Sequence, residues 1–197
     1  MKINHVIRLF LITFVAAVAA GCASAPSHFY TLNSTASGGG APALNCAVVV
    51  GPVSVPPLVD RPQFTVLTAP NRVEIDEFNR WAAPLNDNIA RAIAGNLAML
   101  LGTPRVATMS SANFAPTYQV TINIQRFESV PGRSALVDAL WTVRGAAGGA
   151  TLSGDTVAGE LVQGDGFDAL AAAHSRALAK VSGDIAAAIR VEAEGKP

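Results

Sequence analysis

Tyr118-Gln119-Val120-Thr121-Ile122-Asn123-Ile124-Gln125 alternates without a fault, with Tyr118, Val120, Ile122 and Ile124 on one side and Gln119, Thr121, Asn123 and Gln125 on the other. Period two is the repeat of a strand, and one apolar side with one polar side marks a strand covered on a single face. Upstream the period changes. Leu85, Ile89, Ile93, Leu97 and Leu100 recur at helical spacing, Pro84 stands at the start, and Gly102 with Pro104 stops the run. This predicts a helix with one core face and a polar face carrying Asn86, Asp87, Arg91 and Asn96. Downstream, Leu170, His174, Leu178, Val181, Ile185 and Ile189 form the stripe of a second helix, from about Asp168 to Glu192.

The remaining segments read as strands and loops. His28 to Leu32 is a short strand, and Cys46 to Val55, apolar on both faces and closed by Pro56-Pro57, suits a central strand or one covered by a partner. Phe64 to Thr68 and Arg72 to Asp76 make a hairpin through Ala69-Pro70-Asn71. Ala135 to Arg144 places Val137, Ala139, Trp141 and Val143 on one face and Leu136, Asp138 and Leu140 on the other; Thr151 to Val162 is a weaker last strand. Ser34 to Pro42, rich in Gly, Ser and Ala, has the composition of a flexible surface loop. The order of strands and helices predicts an α+β fold: a single two-layer domain, one mostly antiparallel sheet with two helices packed on one face. Cys46 to Val55 and the pair Leu136 and Leu140 offer more apolar surface than one buried face requires. They are candidate subunit contacts, unless the chain's own helices cover them.

The chain has 197 residues, 14 Lys+Arg against 14 Asp+Glu, 50% hydrophobic residues and only 14% charged ones. That length suits one domain, the balanced charge lacks the basic footprint of a nucleic-acid binder, and the apolar content excludes a disordered chain. Two cysteines supply neither a disulfide framework nor a four-cysteine metal site. The first residues are a separate element. Lys2 and Arg8 precede an uncharged run from Leu9 to Ala20, about 12 residues and so shorter than the roughly 20 of a membrane-spanning helix. Ala19-Ala20-Gly21-Cys22 resembles the bacterial lipobox, with Ala19 where Leu is usual, and Ala23 in the next position implies sorting to the outer membrane. The expected division is a lipoprotein signal peptide over 1–21, a lipidated tether over 22–27 with the acyl chains on Cys22, and a domain over 28–195. Loss of Lys2 and Arg8 leaves 12 basic against 14 acidic side chains, a formal charge of −2, so acyl chains rather than a basic patch must hold the membrane. Cys46, left without a partner, reads as a small buried hydrophobe.

Constellations for covalent chemistry are missing: there is no G-x-S-x-G, H-E-x-x-H, phosphate loop or dinucleotide fingerprint. His174 sits on an apolar stripe and reads as a core histidine, while Asp165 and Asp168 frame the start of the last helix, where carboxylates complement the dipole. The expectation is a non-enzyme with no catalytic residue, no metal and no cofactor beyond the lipid on Cys22. Two clusters invite a further reading. Asp60-Arg61-Pro62-Gln63 lies between strands, and Arg80-Trp81 precedes the first helix. Arg61 pairing with Asp60 and Trp81 stapling the helix start would explain them structurally. A recognition surface is the alternative, since Trp and Arg are enriched in binding hot spots.

Taken in order, Phe29-Tyr30-Thr31-Leu32, Gly51-Pro52-Val53, Leu58-Val59-Asp60-Arg61-Pro62-Gln63, Glu77-Phe78-Asn79-Arg80-Trp81-Ala82-Ala83-Pro84-Leu85, Arg126-Phe127 and Leu136-Val137-Asp138-Ala139-Leu140-Trp141 resemble the PqiC family, the ABC-type transport auxiliary lipoproteins. Ala83 and Leu140 depart from it, standing where an acidic residue and an Arg are common. The resemblance implies a lipid-anchored protein on the periplasmic face of the outer membrane. It would dock the MCE-domain tunnel protein of a PqiB-type transporter, support intermembrane lipid transport and envelope integrity, and possess the capacity to form a homo-oligomer. Asp60, Arg61, Gln63, Arg80 and Trp81 are the candidate partner-binding residues, with Trp81 as aromatic anchor and the arginines as donors. A lipid-binding carrier and a structural lipoprotein of envelope assembly are the alternatives.

Overall fold

Helix α1, Leu85–Leu101, forms where the 3.6-residue repeat places it. The Asn88 N–H donates to the Pro84 carbonyl at 3.0 Å, and the Asn88 side chain reaches back to the Ala83 carbonyl at 2.9 Å. At the other end Gly102 takes the left-handed conformation (φ 66°) and its N–H returns to the Ala98 carbonyl, a cap glycine supplies without strain. The structure, a computed structural model, describes residues 25–108, 114–146, 148 and 151–194. The expected signal peptide and Cys22 lie outside the described residues. Beside α1 stand α2 (Gly166–Glu194) and eight strands: β1 His28–Tyr30, β2 Val48–Ser54, β3 Gln63–Ala69, β4 Arg72–Trp81, β5 Val106–Ala107, β6 Tyr118–Val130, β7 Ser134–Gly145 and β8 Thr151–Leu161.

The fold is α+β, but the strands form two mixed sheets where one mostly antiparallel sheet was expected. Five strands run in the order β5-β2-β6-β7-β8 and three in the order β1-β4-β3. In the larger sheet β2 pairs in parallel with both β5 and β6, and β6, β7 and β8 form an antiparallel meander. β5 can lie parallel to β2 because the segment ending in α1 returns the chain to the end of the sheet from which β2 began. In the smaller sheet β1 is parallel to β4, and β3 and β4 are the predicted hairpin. Both helices pack on the larger sheet and on each other, α1 over β2 and β5, α2 over β7 and β8.

The strict alternation of β6 buries Tyr118, Val120, Ile122 and Ile124. It then breaks at a bulge between Ile124 and Arg126, after which Phe127 and Ser129 face the core. On α2 all six stripe residues, His174 included, are buried. Each fully buried Leu or Ile in these stripes contributes roughly 1.5–3 kcal/mol. Trp141 is fixed by two contacts with β8. Its ring lies against Gly154, its cross-strand partner, where a Cβ would collide with it, and its Nε1 donates to Thr156 Oγ1 at 3.0 Å. Thr156 Oγ1 in turn donates to Asp184 Oδ2 at 2.7 Å, tying β8 to α2. Glu160 bridges the same elements through Lys180 and Arg176 at 2.7 and 3.0 Å.

Three expectations change. Asn96, expected on the polar face of α1, is fully buried: it lies seven residues from Ile89 and three from Ile93, within the stripe. Its Oδ1 accepts the N–H groups of Thr35 and Ala36, both at 2.9 Å, and its Nδ2 donates to Ser182 Oγ at 3.2 Å. These bonds, with those from Asn33 N–H and Thr35 Oγ1 to Ser175, strap the start of the segment expected to be a free loop across both helices. Finally, in the candidate contact stretch Cys46 to Val55, Cys46 to Val50 are buried by the chain itself, and only Gly51 to Val55 remain half-buried or exposed. Cys46 is a buried free thiol whose pKa burial raises, against the lowering influence of Arg105 and Arg190.

Candidate partner-binding surface

The three-stranded sheet presents one face inward and one outward. Inward, Phe64 stacks on Trp81 with ring centroids 4.1 Å apart, and Tyr30, Phe167 and Phe127 meet this pair edge-on or through each other. Phe127 stacks in turn on His174 at 3.8 Å, so one aromatic seam joins the small sheet, β6 and α2. From the sequence Trp81 is expected either as an aromatic anchor for a partner or as a staple at the helix start. In the fold it ends β4 with only 5% of its surface exposed, because Glu77, Phe78 and Asn79 bulge out of the ladder and return Trp81 to the inner face. Asp76 holds that bulge: its Oδ1 accepts from the N–H groups of Phe78 and Asn79 and from Asn79 Nδ2, at 2.8–3.0 Å. Burial acts against the Asp76 charge, but these bonds outweigh it and keep the carboxyl below its usual range.

Outward, the register sets Gln63 opposite Arg80, and Arg80 beside Phe29 of β1. Gln63 Nε2 donates to Glu77 Oε2 at 3.3 Å, Arg80 lies 3.6 Å from the same oxygen, and Arg80 Nε donates to the Glu77 carbonyl at 2.8 Å. Gln63 and Arg80 are therefore brought together, with Glu77 as a link the sequence reading did not pick out. Asp60 and Arg61 lie on the adjoining turn, whose Val59 plugs the core. No ion pair joins Asp60 to Arg61 among the described residues, and the half-buried Arg61 leaves its Nε without a hydrogen-bond partner. Trp81 supports this surface from below: its backbone N–H donates to the Pro62 carbonyl at 2.7 Å, tying the turn to β4. On the larger sheet Leu140 is 44% exposed and Leu136 half-buried, so this pair does add apolar surface to an outer face.

Such a surface can donate and accept hydrogen bonds and pair with charges. The nearest approach to a nucleophile–base pair is Ser129 Oγ with His174 Nε2, 2.8 Å apart, and both residues are buried beneath the small sheet. Burial pushes the pKa of His174 down to about 3, so its ring is neutral. Among the described residues no three His, Cys, Asp or Glu side chains are grouped to hold a metal, and no helix is long and apolar enough to cross a membrane.

This fold is similar to that of solved structures. A crystal structure of an uncharacterized protein is similar at a TM-score of 0.69 and 19% identity, covering 84% of this chain and 99% of that one. A Xanthomonas campestris protein gives 0.68 and 18%, covering 85% and 97%. At these identities the likeness is one of fold. No curated protein matches the chain. The profile of the family described as ABC-type transport auxiliary lipoprotein component matches residues 30–186, and the chain belongs to that family.

Proposed function

We propose that this auxiliary lipoprotein is acylated at Cys22, faces the periplasm from the outer membrane, and docks the tunnel protein of an MCE-type, Pqi-like lipid transporter, with no covalent chemistry of its own. The observation that carries docking is the outward cluster of Gln63, Glu77 and Arg80 beside Arg61. Arg61 Nε is itself buried and has no hydrogen-bond partner among the described residues, so the groups open to a partner are Arg80, a donor to a carbonyl or carboxylate, and the exposed acceptor Glu77, with the half-buried Arg61 beside them. The role of Trp81 becomes that of a platform: it holds the turn and strand that display these groups. Asp60 completes the rim as an exposed acceptor. A carrier role has less support, since the cleft of about 350 Å³ beside β2 is bordered by Asp87 and Arg91, charged groups ill suited to an acyl chain.

The test is capture of the full lipidated chain through a C-terminal tag in mild detergent. The wild type should bring down an MCE-domain protein. A triple Arg61→Ala, Gln63→Ala, Arg80→Ala variant should lose at least about tenfold of it, the scale of one or two hydrogen bonds to charged groups. Cys22→Ser should reduce recovery by removing membrane placement. Equal recovery with the triple variant would move the contact elsewhere, and no MCE-domain protein with the wild type would defeat the docking reading.

A further inference from the structure

The point at which the tether leaves the domain is flanked by exposed aromatic rings. β1 runs parallel to β4 with His28 opposite Asn79 and Phe29 opposite Arg80. Continued one residue backwards, that register carries the chain out past Phe78, which the bulge holds outward. Phe29 is 64% exposed and Phe78 45%, although both are large apolar side chains in a chain with ample core to receive them. Tyr30, the next residue, is turned inward by its edge contact with Phe64 and by its hydroxyl's 2.7 Å bond to Asn79 Oδ1. The strand thus fixes Phe29 outward, and Asp76 fixes Phe78.

We infer that this edge of the small sheet rests on the lipid bilayer, with Phe29 and Phe78 inserted at the headgroup level. The inference rests on acylation of Cys22 and extends it to the posture of the domain. Only Ala23 to Ser27 separate the anchor from His28. Fully stretched, that segment reaches about 20 Å, and as a flexible coil its mean span is roughly 13 Å. The headgroup layer of one leaflet is about 5–8 Å deep, so the tether keeps this edge within reach of it at ordinary extension. Charge does not drive the contact: beside the two rings Arg80 and Glu77 pair with each other at 3.6 Å. Insertion of apolar rings from a surface already held by acyl chains is therefore the interaction that fits. The candidate docking cluster adjoins this edge: Glu77 and Arg80 share β4 with Phe78, and Gln63 lies one strand further on, in β3. The sheet would then meet lipid at its β1 edge and the transporter from β4 towards β3.

The test uses the full lipidated chain in vesicles of phosphatidylethanolamine with a minority of phosphatidylglycerol, the former carrying brominated acyl chains. Phe29→Trp and Phe78→Trp are compared with Val157→Trp, an exposed position on the other sheet, each as a difference from the unsubstituted protein. The tryptophans at 29 and 78 should show a blue shift and loss of emission to brominated lipid, and the one at 157 neither. Equal, weak quenching at all three positions in a chain that floats with the vesicles overturns the membrane face and leaves the lipoprotein reading intact. A chain that does not float overturns both. Tryptophans at 29 and 78 that are shielded from an aqueous quencher but not quenched by lipid would give the edge to a second copy of the chain, and would equally overturn the proposal.

Discussion

Asn96 on α1 and His174 on α2 are both polar, both fully buried and both set in an apolar helical stripe, yet their surroundings differ. Asn96 spends its carbonyl on two backbone N–H groups and its amide on Ser182, which is itself bonded to the Leu178 carbonyl at 2.7 Å. Among the described residues His174 has one hydrogen-bond partner, Ser129, and its Nδ1 is buried with none. The first is a junction that orders three segments. The second is a ring packed for its flat face against Phe127, whose spare nitrogen weakens the site. Buried polarity is stabilising in one half of this core and carries a penalty in the other.

Replacing the junction gives the largest expected effect. Asn96→Leu leaves the N–H groups of Thr35 and Ala36 unpaired and strands the segment that Asn96 straps, a loss of about 3 kcal/mol or more. The denaturant midpoint should fall accordingly, and limited proteolysis should newly cut within Ser34 to Pro42. A midpoint close to wild type would mean that water replaces the amide, and the contrast with His174 would dissolve.

Acid tests the other half. In the unfolded chain His174 titrates near 6.5, whereas in the fold burial holds its pKa at about 3. Between these values the unfolded state binds the extra proton, so stability is complete above pH 6.5 and declines as pH falls, by about 1.4 kcal/mol per unit. By pH 5 this amounts to roughly 2 kcal/mol, read as the difference in unfolding free energy between wild type and His174→Phe. The difference between the two proteins isolates the imidazole from carboxylates such as Asp76 and Glu160, whose lowered pKa values act further into acid. Parallel pH profiles for the two would show the ring to be solvated.

What could be read from the chain before the fold was known follows the same division. Both helical stripes, the alternation of β6 and the β3–β4 hairpin are local signals, and the fold honours them. Asn96 also carried its signal, since its spacing from Ile89 and Ile93 put it in the stripe; chemical type overruled position and gave the wrong face. The second sheet had no local signal. Pairing of His28–Tyr30 with Asn79–Trp81 spans about fifty residues of chain and depends on an aromatic seam assembled from five elements. For the same reason the face of Trp81 was not legible: the bulge at Glu77 to Asn79 that turns it inward breaks the alternation from which that face would be read. Gln63 and Arg80 were each visible as polar residues near turns, but only the register places them opposite one another.

The smallest effect sharpens the comparison most. Ser129→Ala should cost about 1 kcal/mol at pH 7, because it removes the one partner of the ring and leaves both nitrogens bare. Ser129→Ala combined with His174→Phe removes the hydroxyl, the bare nitrogen and the titration together while keeping a flat ring against Phe127. Replacing both members of a buried polar pair by apolar groups of similar shape is near neutral. The double variant should therefore melt close to wild type at pH 7 and above it at pH 5, a crossing that no pairing at Asn96 could imitate. Additive losses in this cycle would mean that the two side chains are not coupled; a double variant well below wild type at pH 7 would mean that the Ser129–His174 pair is a net source of stability, and the two buried sites would then differ in degree rather than in sign.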